Sequence, residues 1–473
     1  MFQQFVNRKE ELKFLNNRYV SKYPEFIILY GRRRVGKTEL IKEFIKNKPS
    51  VYFMADRQIE RENIRLMQKS MASYLKDSLF EKVQFRDYFE LFSEFTKRTS
   101  ERVVFVIDEF QYLLESNNAI PSIYQKLWDE IISKTNVFMI LCGSSISMME
   151  TLMGYKNPLY GRRTGQWKVE MMKFRDAVGF LPNFSLEQQI EAFSILDGIP
   201  LYLKQFDDTK SILENIREKI IEKGNILNIE PEFLLKEELR EPRNYFLILK
   251  AISFGNARFT EIVNYTRLDK TLVSKYLDNL AQLHIIEKIY PVTSVKERAR
   301  DTRYRLGDNF FSFWFRFIYP NRSEIERGEI DQVIALIQKD LNSFMGRKFK
   351  KICMEALIEL NNQGYLPFKF KTIGGWWHKD HEIDIIFMNE DTKEMCFCEC
   401  KWQTPKVGLD VLKELLEKAT FVDWLNKTRQ DCYIVISKSG FTSTAQEYAL
   451  SNGVLLFDIG DLGNIFGNNY SKD

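Results

Sequence analysis

Residues 31–38 read Gly31-Arg32-Arg33-Arg34-Val35-Gly36-Lys37-Thr38, two glycines five apart with a lysine and a hydroxyl directly behind the second. Glycines let a loop turn its backbone N–H groups inward around a phosphate. A lysine at this place reaches the outer phosphates of a nucleotide, and the hydroxyl ligates Mg²⁺. All eight residues are therefore candidate phosphate contacts, with Lys37 on the β- and γ-phosphates and Thr38 on the metal. The expected cofactors are ATP and Mg²⁺. The flanks agree. Phe26-Ile27-Ile28-Leu29-Tyr30 reads as a buried strand, and a helix is expected from Thr38.

Such a loop needs an acid to hold the metal and a base for water. Val103 to Ile107 reads as a strand that ends in Asp108-Glu109. Asp108 is expected to hold Mg²⁺ through water, and Glu109 is the candidate general base. A further strand ends in Cys142-Gly143-Ser144-Ser145. There Ser144 or Ser145 touches the γ-phosphate or the water, or simply caps a helix. Downstream, Arg162 and Arg163 are candidates for stabilising transition-state charge, with a salt-bridged loop as the alternative. Loop and acids together predict ATP hydrolysis.

The elements that must position these groups are legible. Val51-Tyr52-Phe53-Met54 and Val137-Phe138-Met139-Ile140-Leu141 complete a set of continuous apolar runs separated by amphipathic helical patterns. That alternation predicts a parallel sheet covered on both faces. At 473 residues the chain is too long for one core, and three or four domains are expected. Hydrophobic residues are 44% and charged residues 28%, as in soluble globular proteins. A net charge of +4 gives no global field for a polyanion, so any basic surface must be local. Phe310 to Tyr319 is about half a membrane span and contains Arg316, which predicts a buried aromatic helix and no membrane partner. The start does not read as a signal peptide. The six cysteines show no regular framework and no paired zinc spacing, so a reducing, cytoplasmic location is expected.

After Pro242 the order is helix, helix, helix, strand, strand. The third helix runs from about Asp269, its expected N-cap, to Leu283, with Leu272, Tyr276, Leu280 and Leu283 on one face. This is the order of a winged helix, whose third helix enters a DNA major groove by its N-terminal residues. Lys270, Thr271, Ser274 and Lys275 on that helix, and Arg298 and Arg300 in the wing, are candidate DNA contacts. Winged helices also dock proteins, and that alternative stays open.

In the tail, Glu382 to Asn389 and Glu394 to Trp402 form a hairpin with a polar turn. A turn centred between Asp391 and Thr392 sets Asp384 opposite Glu399 and Glu382 opposite Lys401. Strand alternation puts these four on one face and Ile383, Ile385 and Phe387 with Cys396, Cys398 and Cys400 on the other. Like charges directly opposite destabilise a sheet, so the facing acids suggest a use. Asp384 with Glu399-x-Lys401 has the D…ExK arrangement of PD-(D/E)xK nucleases. The acids are candidates for a second divalent cation, with Lys401 polarising water or phosphate.

These stretches resemble the archaeal-type ATP-binding ATPases, P-loop NTPases near the AAA+ and STAND groups. The resemblance rests on Phe5-Val6-Asn7-Arg8-Lys9-Glu10-Glu11-Leu12, the phosphate loop, Ile107-Asp108-Glu109-Phe110-Gln111 and Leu159-Tyr160-Gly161-Arg162-Arg163. Gly198-Ile199-Pro200 resembles a STAND-like lid element. The resemblance implies that Asn7 and Arg8 lie near the adenine and that helices around Pro200 form a lid. Gly374-Gly375-Trp376-Trp377-His378 and Glu399-Cys400-Lys401-Trp402 resemble the nuclease-like domain of the same family. One departure is Phe349-Lys350, where the family usually carries phenylalanine-glutamate. Glu355 is a possible substitute acid, but it lies at a different helical angle.

The expected fold class is α/β, a P-loop NTPase parallel sheet with a helical lid, followed by a winged helix and a restriction-endonuclease-like α/β domain. The expected boundaries are 1–172 for the core, 173–240 for the lid, 241–306 for the winged helix, 307–344 for a helical connector and 345–473 for the tail. Expected partners are ATP and DNA, with a homo-oligomer or protein partner open. Three functions follow in order: an ATPase acting on or near DNA, a STAND-like switch docking proteins, and an ATP-gated metal-dependent endonuclease.

Overall fold

The apolar runs of the N-terminal half are continuous because alternate residues enter two different cores. In the computed structural model, which describes residues 5–21, 23–239, 242–294 and 301–467, they form β1 (Glu25–Tyr30), β2 (Ser50–Met54), β3 (Val104–Asp108) and β4 (Phe138–Gly143). Ile27, Leu29, Val104, Val106, Phe138 and Ile140 face one core, which the helix Lys37–Ile45 closes with Leu40, Ile41 and Phe44. Phe26, Ile28, Phe105, Ile107, Met139 and Leu141 face the other. Strands buried on both faces belong to parallel sheets, and every pairing here is parallel.

The strand order is β2-β3-β4-β1-β5. The last strand, β5 (Gly165–Lys168), has no apolar run to announce it and pairs with β1 along Ile27 to Tyr30. The order sets β4 between the strand that leads into the glycine loop and the strand that ends in Asp108.

The chain divides into two units, Met1–Met171 and Met172–Asp473. The second begins with short helices that include Leu186–Leu196, Pro200–Leu203 and Ile226–Glu238. Three helices follow, Arg243–Ser253, Phe259–Thr266 and Lys270–Gln282, and then the antiparallel pair β6 (Ile286–Ile289) and β7 (Arg303–Leu306). Asp269 caps the third helix by accepting from Thr271 N at 2.8 Å. Its buried stripe is Val273, Leu277 and Leu280. Leu272, expected on that stripe, is 37% exposed, because the buried face lies one residue further round the helix.

Phe310 to Ile318 is buried helix, with Phe310, Phe311, Phe313, Trp314, Phe315, Phe317 and Ile318 all in the core. Among the described residues no helix is long and apolar enough to cross a membrane. One 34-residue helix, Ile330–Gln363, then runs through the expected connector-to-tail boundary at 344/345.

The tail is a five-stranded mixed sheet in the order β12-β11-β10-β9-β8. Its strands are β8 (Thr372–His378), β9 (His381–Asn389), β10 (Glu394–Lys401), β11 (Gln430–Ser437) and β12 (Val454–Phe457). The β9–β10 ladder has the expected register from Glu394 opposite Asn389 to Cys398 opposite Ile385. Beyond Ile385 the strict alternation fails. In the β8–β9 ladder Gly374 pairs with Ile386 but Trp376 pairs with Ile383, a bulge of one residue in β9. Ile383 and Ile386 therefore share one core, where simple alternation had put them on opposite faces. The cysteines also hold a pair that their spacing did not reveal. Cys396 and Cys432 lie directly opposite on parallel β10 and β11 and form a disulfide. Cys142, Cys353, Cys398 and Cys400 are free and buried.

Candidate nucleotide-binding site

The glycine loop leaves β1 and closes on the helix Lys37–Ile45. Gly31 is required by close approach, since a Cβ there would stand 2.3 Å from the carbonyl oxygen of Val169, the residue after β5. Gly36 sits at φ +91° as the residue before the helix, a conformation L side chains rarely adopt. The helix thus presents its unpaired first N–H groups to the loop, the feature that binds anions. Lys37 is buried, and its Nζ donates to Gly31 O (2.8 Å) and Arg32 O (2.9 Å). Burial pushes its ammonium below the ordinary lysine range, against the pull of Glu109 and Asp108. Among the loop arginines, Arg33 donates to the Tyr112 hydroxyl (3.3 Å).

Asp108 closes β3 across from Thr38. Thr38 Oγ1 donates to Asp108 Oδ2 at 2.9 Å, and Tyr52 on the neighbouring β2 donates to the same oxygen at 2.6 Å. A hydroxyl and a carboxylate converging behind a phosphate loop suit hard Mg²⁺, which prefers oxygen donors and few protein ligands. Glu109 follows in the left-handed region, φ 53°, an uncommon conformation for a non-glycine residue. That turn, pinned by Glu109 N to Asp108 Oδ1 (2.9 Å), sends the two adjacent acids to different partners. Glu109 Oε2 accepts from Ser144 Oγ (2.8 Å) and from Gln111 Nε2. Gln111 also ties Ser144 at both ends, through Oγ (2.9 Å) and N (3.2 Å). Ser144 therefore joins Glu109, while Ser145 stands at the N-cap of the next helix.

Residues 5–206 match a family described as an ATPase domain predominantly from Archaea, and residues 314–415 match one described as Archaea bacterial proteins of unknown function. The chain is 38% identical over 405 residues to the uncharacterized protein MJECL04 of Methanocaldococcus jannaschii, covering 85% of this chain and 88% of that one. The chain belongs to the archaeal ATPase family. A shorter stretch of 44 residues is 64% identical to the uncharacterized ATP-binding protein MJ0423 of the same organism, 9% of this chain and 75% of that one. Among solved structures, the Walker-type ATPase PABY2304 of Pyrococcus abyssi aligns with TM-score 0.50 at 23% identity, over 66% of this chain and 96% of that one. That likeness concerns the fold.

In this archaeal ATPase, Arg8 is buried beside the loop. Its Nη2 donates to Val35 O (2.7 Å) and Glu170 O (2.8 Å), and its Nη1 pairs with Glu11 (2.8 Å). Asn7, at φ 53°, accepts from Lys9 N (3.4 Å). Arg162 pairs with Asp129 at 3.2 Å, and Arg163 donates to Gln166 Oε1 at 2.6 Å. Two groups were not foreseen, Gln111 and Tyr52. Gln111 was visible only as part of a motif, and its partners show once β4 lies beside β3. Tyr52 has no signal in sequence, because its partner acid belongs to a strand 56 positions away.

In the second unit, Lys270, Thr271, Ser274 and Lys275 are all exposed on the helix Lys270–Gln282. Arg298 and Arg300 lie outside the described residues. The tail acids have other partners than their sequence suggested. Asp384 Oδ2 accepts from Cys400 N (2.9 Å), and Asp384 Oδ1 pairs with Lys350. Glu382 does not meet Lys401. It pairs with Lys350 (3.0 Å) and with Arg303 (2.7 Å) because the bulge turns it away from β10. Lys401 instead pairs with Glu399 at 2.8 Å. Glu355 accepts from Phe174 N (2.7 Å), so it is engaged away from these acids.

Proposed function

We propose that this archaeal ATPase is a Mg²⁺-dependent ATP hydrolase whose turnover drives a conformational change delivered to DNA. The observation that carries the hydrolytic reading is the convergence of Thr38, Asp108, Glu109 and Ser144 on one edge of the parallel sheet. Lys37 exchanges its two loop carbonyls for the outer phosphates when ATP enters. Thr38 and Asp108 would hold Mg²⁺, which would supply positive charge to the phosphates. Glu109 accepts a proton from the attacking water, and Ser144 with Gln111 keeps its carboxylate aimed. Arg162 or Arg163 supplies positive charge to the transition state once released from Asp129 or Gln166.

The DNA reading is supported by the three helices and the β6–β7 hairpin, read as a winged helix, with Lys270, Thr271, Ser274 and Lys275 exposed together. The deciding experiment is the steady-state ATPase rate with and without duplex DNA, over a salt series. A rate raised by DNA, and lost as salt rises, supports the proposal. No hydrolysis, or no response to DNA, refutes it. Stimulation by a protein alone assigns the chain to the STAND-like switch.

A further inference from the structure

A nuclease-like tail implies a divalent cation between Asp384 and Glu399, and the residues present do not fit one. We infer that the ammonium of Lys350 occupies Asp384 where a cation would need it, and that the tail serves as a clamp on the β6–β7 hairpin instead of a cutting domain. The inference does not depend on ATP hydrolysis or on DNA binding.

Both oxygens of Asp384 are engaged, one by Lys350 and one by Cys400 N at 2.9 Å. Burial works against a charged Lys350, but Asp384 and Glu382 outweigh it and hold the ammonium above the ordinary lysine range. Glu399 has one oxygen on Lys401 (2.8 Å), with Lys418 3.8 Å away, and its other oxygen is buried without a hydrogen-bond partner. Burial, and then the charge of Asp384, push the Glu399 carboxyl upward. A dication on Asp384 would have to displace the Lys350 ammonium, which Glu382 also holds, and position 350 offers no third acid. Among the described residues no group of three or more histidine, cysteine, aspartate or glutamate side chains could hold a metal ion.

The same lysine leads to the clamp. Glu382 shares its two oxygens between Lys350 (3.0 Å) and Arg303 of β7 (2.7 Å). Arg303 lies 4.5 Å from the centre of the Trp377 ring, and Trp377 Nε1 donates to Asp301 O at 2.9 Å. On the other side of the hairpin, Val292 N donates to Gly375 O at 2.9 Å and Val292 packs on the tail core. The segment after β6 is thus anchored to β8, and Arg303 of β7 to β8 and β9. The arrangement neutralises the acids and aims Glu382 at the hairpin with one cation.

The test uses the full chain without nucleotide and Mn²⁺ as the probe. Mn²⁺ is titrated into wild type, Asp384→Asn, Lys350→Glu and the double variant Lys350→Glu/Asp384→Asn. Any ion at Thr38 and Asp108 is common to all four. Wild type and Asp384→Asn should give the same isotherm, and Lys350→Glu should gain one site that the double variant loses. A wild-type site absent from Asp384→Asn overturns the inference, as does a folded Lys350→Glu with no gain. If Lys350→Glu does not fold, the first comparison still decides the metal. For the clamp, Glu382→Gln should raise amide exchange at 286–289 and 303–306 several-fold. Unchanged exchange there overturns the clamp.

Discussion

Ser144 Oγ donates to Glu109 Oε2 across 2.8 Å, joining the end of β4 to the acid that follows β3. Glu109 thereby has a hydroxyl on the same carboxylate oxygen that Gln111 binds. If that carboxylate is the base, Glu109→Gln should lower kcat by about 10²- to 10⁴-fold. ATP affinity should hardly change, because the lost group acts on water. Single-turnover rates beside nucleotide-binding titrations measure both. A variant that hydrolyses ATP at the parent rate removes Glu109 from the mechanism.

Gln111→Ala tests the positioning of that base. It deletes a hydrogen bond to a charged group, worth about 1.5–3 kcal/mol, or roughly 10- to 100-fold in rate. The loss should fall on kcat with KM for ATP steady, and Gln111→Asn should restore part of it only if reach is preserved. An equal rise in KM would point to a merely structural role.

Tyr52→Phe removes one of the two hydroxyls on Asp108 Oδ2 and leaves Thr38. Its ring keeps the packing, so the stability cost should be that of one hydrogen bond to a charged group, about 1.5–3 kcal/mol. The Mg²⁺ concentration for half-maximal ATPase should rise several-fold. An unchanged Mg²⁺ requirement would show that Thr38 and the strand end orient Asp108 without help.

Lys348 provides a pH signature in the second unit. Its Nζ donates to Ser312 Oγ at 2.8 Å, and burial pushes the ammonium down to about 7, with Asp197 and Asp308 opposing and Lys351 and Arg305 adding. An unfolded lysine titrates near about 10.4. Between those values the unfolded chain binds the proton and the folded chain does not. Stability should therefore rise from about pH 7 toward pH 10, by at most about 1.4 kcal/mol per unit. Denaturant midpoints across that range check it, and Lys348→Met should flatten the rise.

Lys270→Ala and Lys275→Ala should each weaken DNA binding without sequence preference. Each should also lower the salt slope of log K by about 1. Fluorescence anisotropy over a salt series reads both. A slope unchanged in the double variant would move the DNA surface elsewhere.

The phosphate loop, the strands that flank it and the class of sheet were legible because each is a local matter. Eight consecutive residues specify the loop, and a run such as Phe26 to Tyr30 carries its own burial. The short β5 was not legible, since Gly165-Gln166-Trp167-Lys168 is half exposed and has neither alternation nor an apolar run. The third helix of the second unit was placed correctly, but its buried face was misjudged by one residue, which helical spacing alone does not resolve. In the tail, the hairpin register followed from its turn, yet the bulge near Asp384 broke the alternation.

The sequence by itself determined the glycine loop and the parallel sheet beneath it, because Gly31, Gly36, Lys37 and Thr38 stand in one short stretch behind a continuous apolar strand. Only the tertiary structure decided which groups meet. Insertion of β4 between β1 and β3 joins Ser144 to Glu109, β2 brings Tyr52 to Asp108, and the long helix delivers Lys350 to Asp384. These partners lie 34 to 56 positions apart, as Lys350 from Asp384 and Tyr52 from Asp108 show. Strand order and helix packing arise from many small apolar contacts spread over the whole core, and no local pattern records their sum.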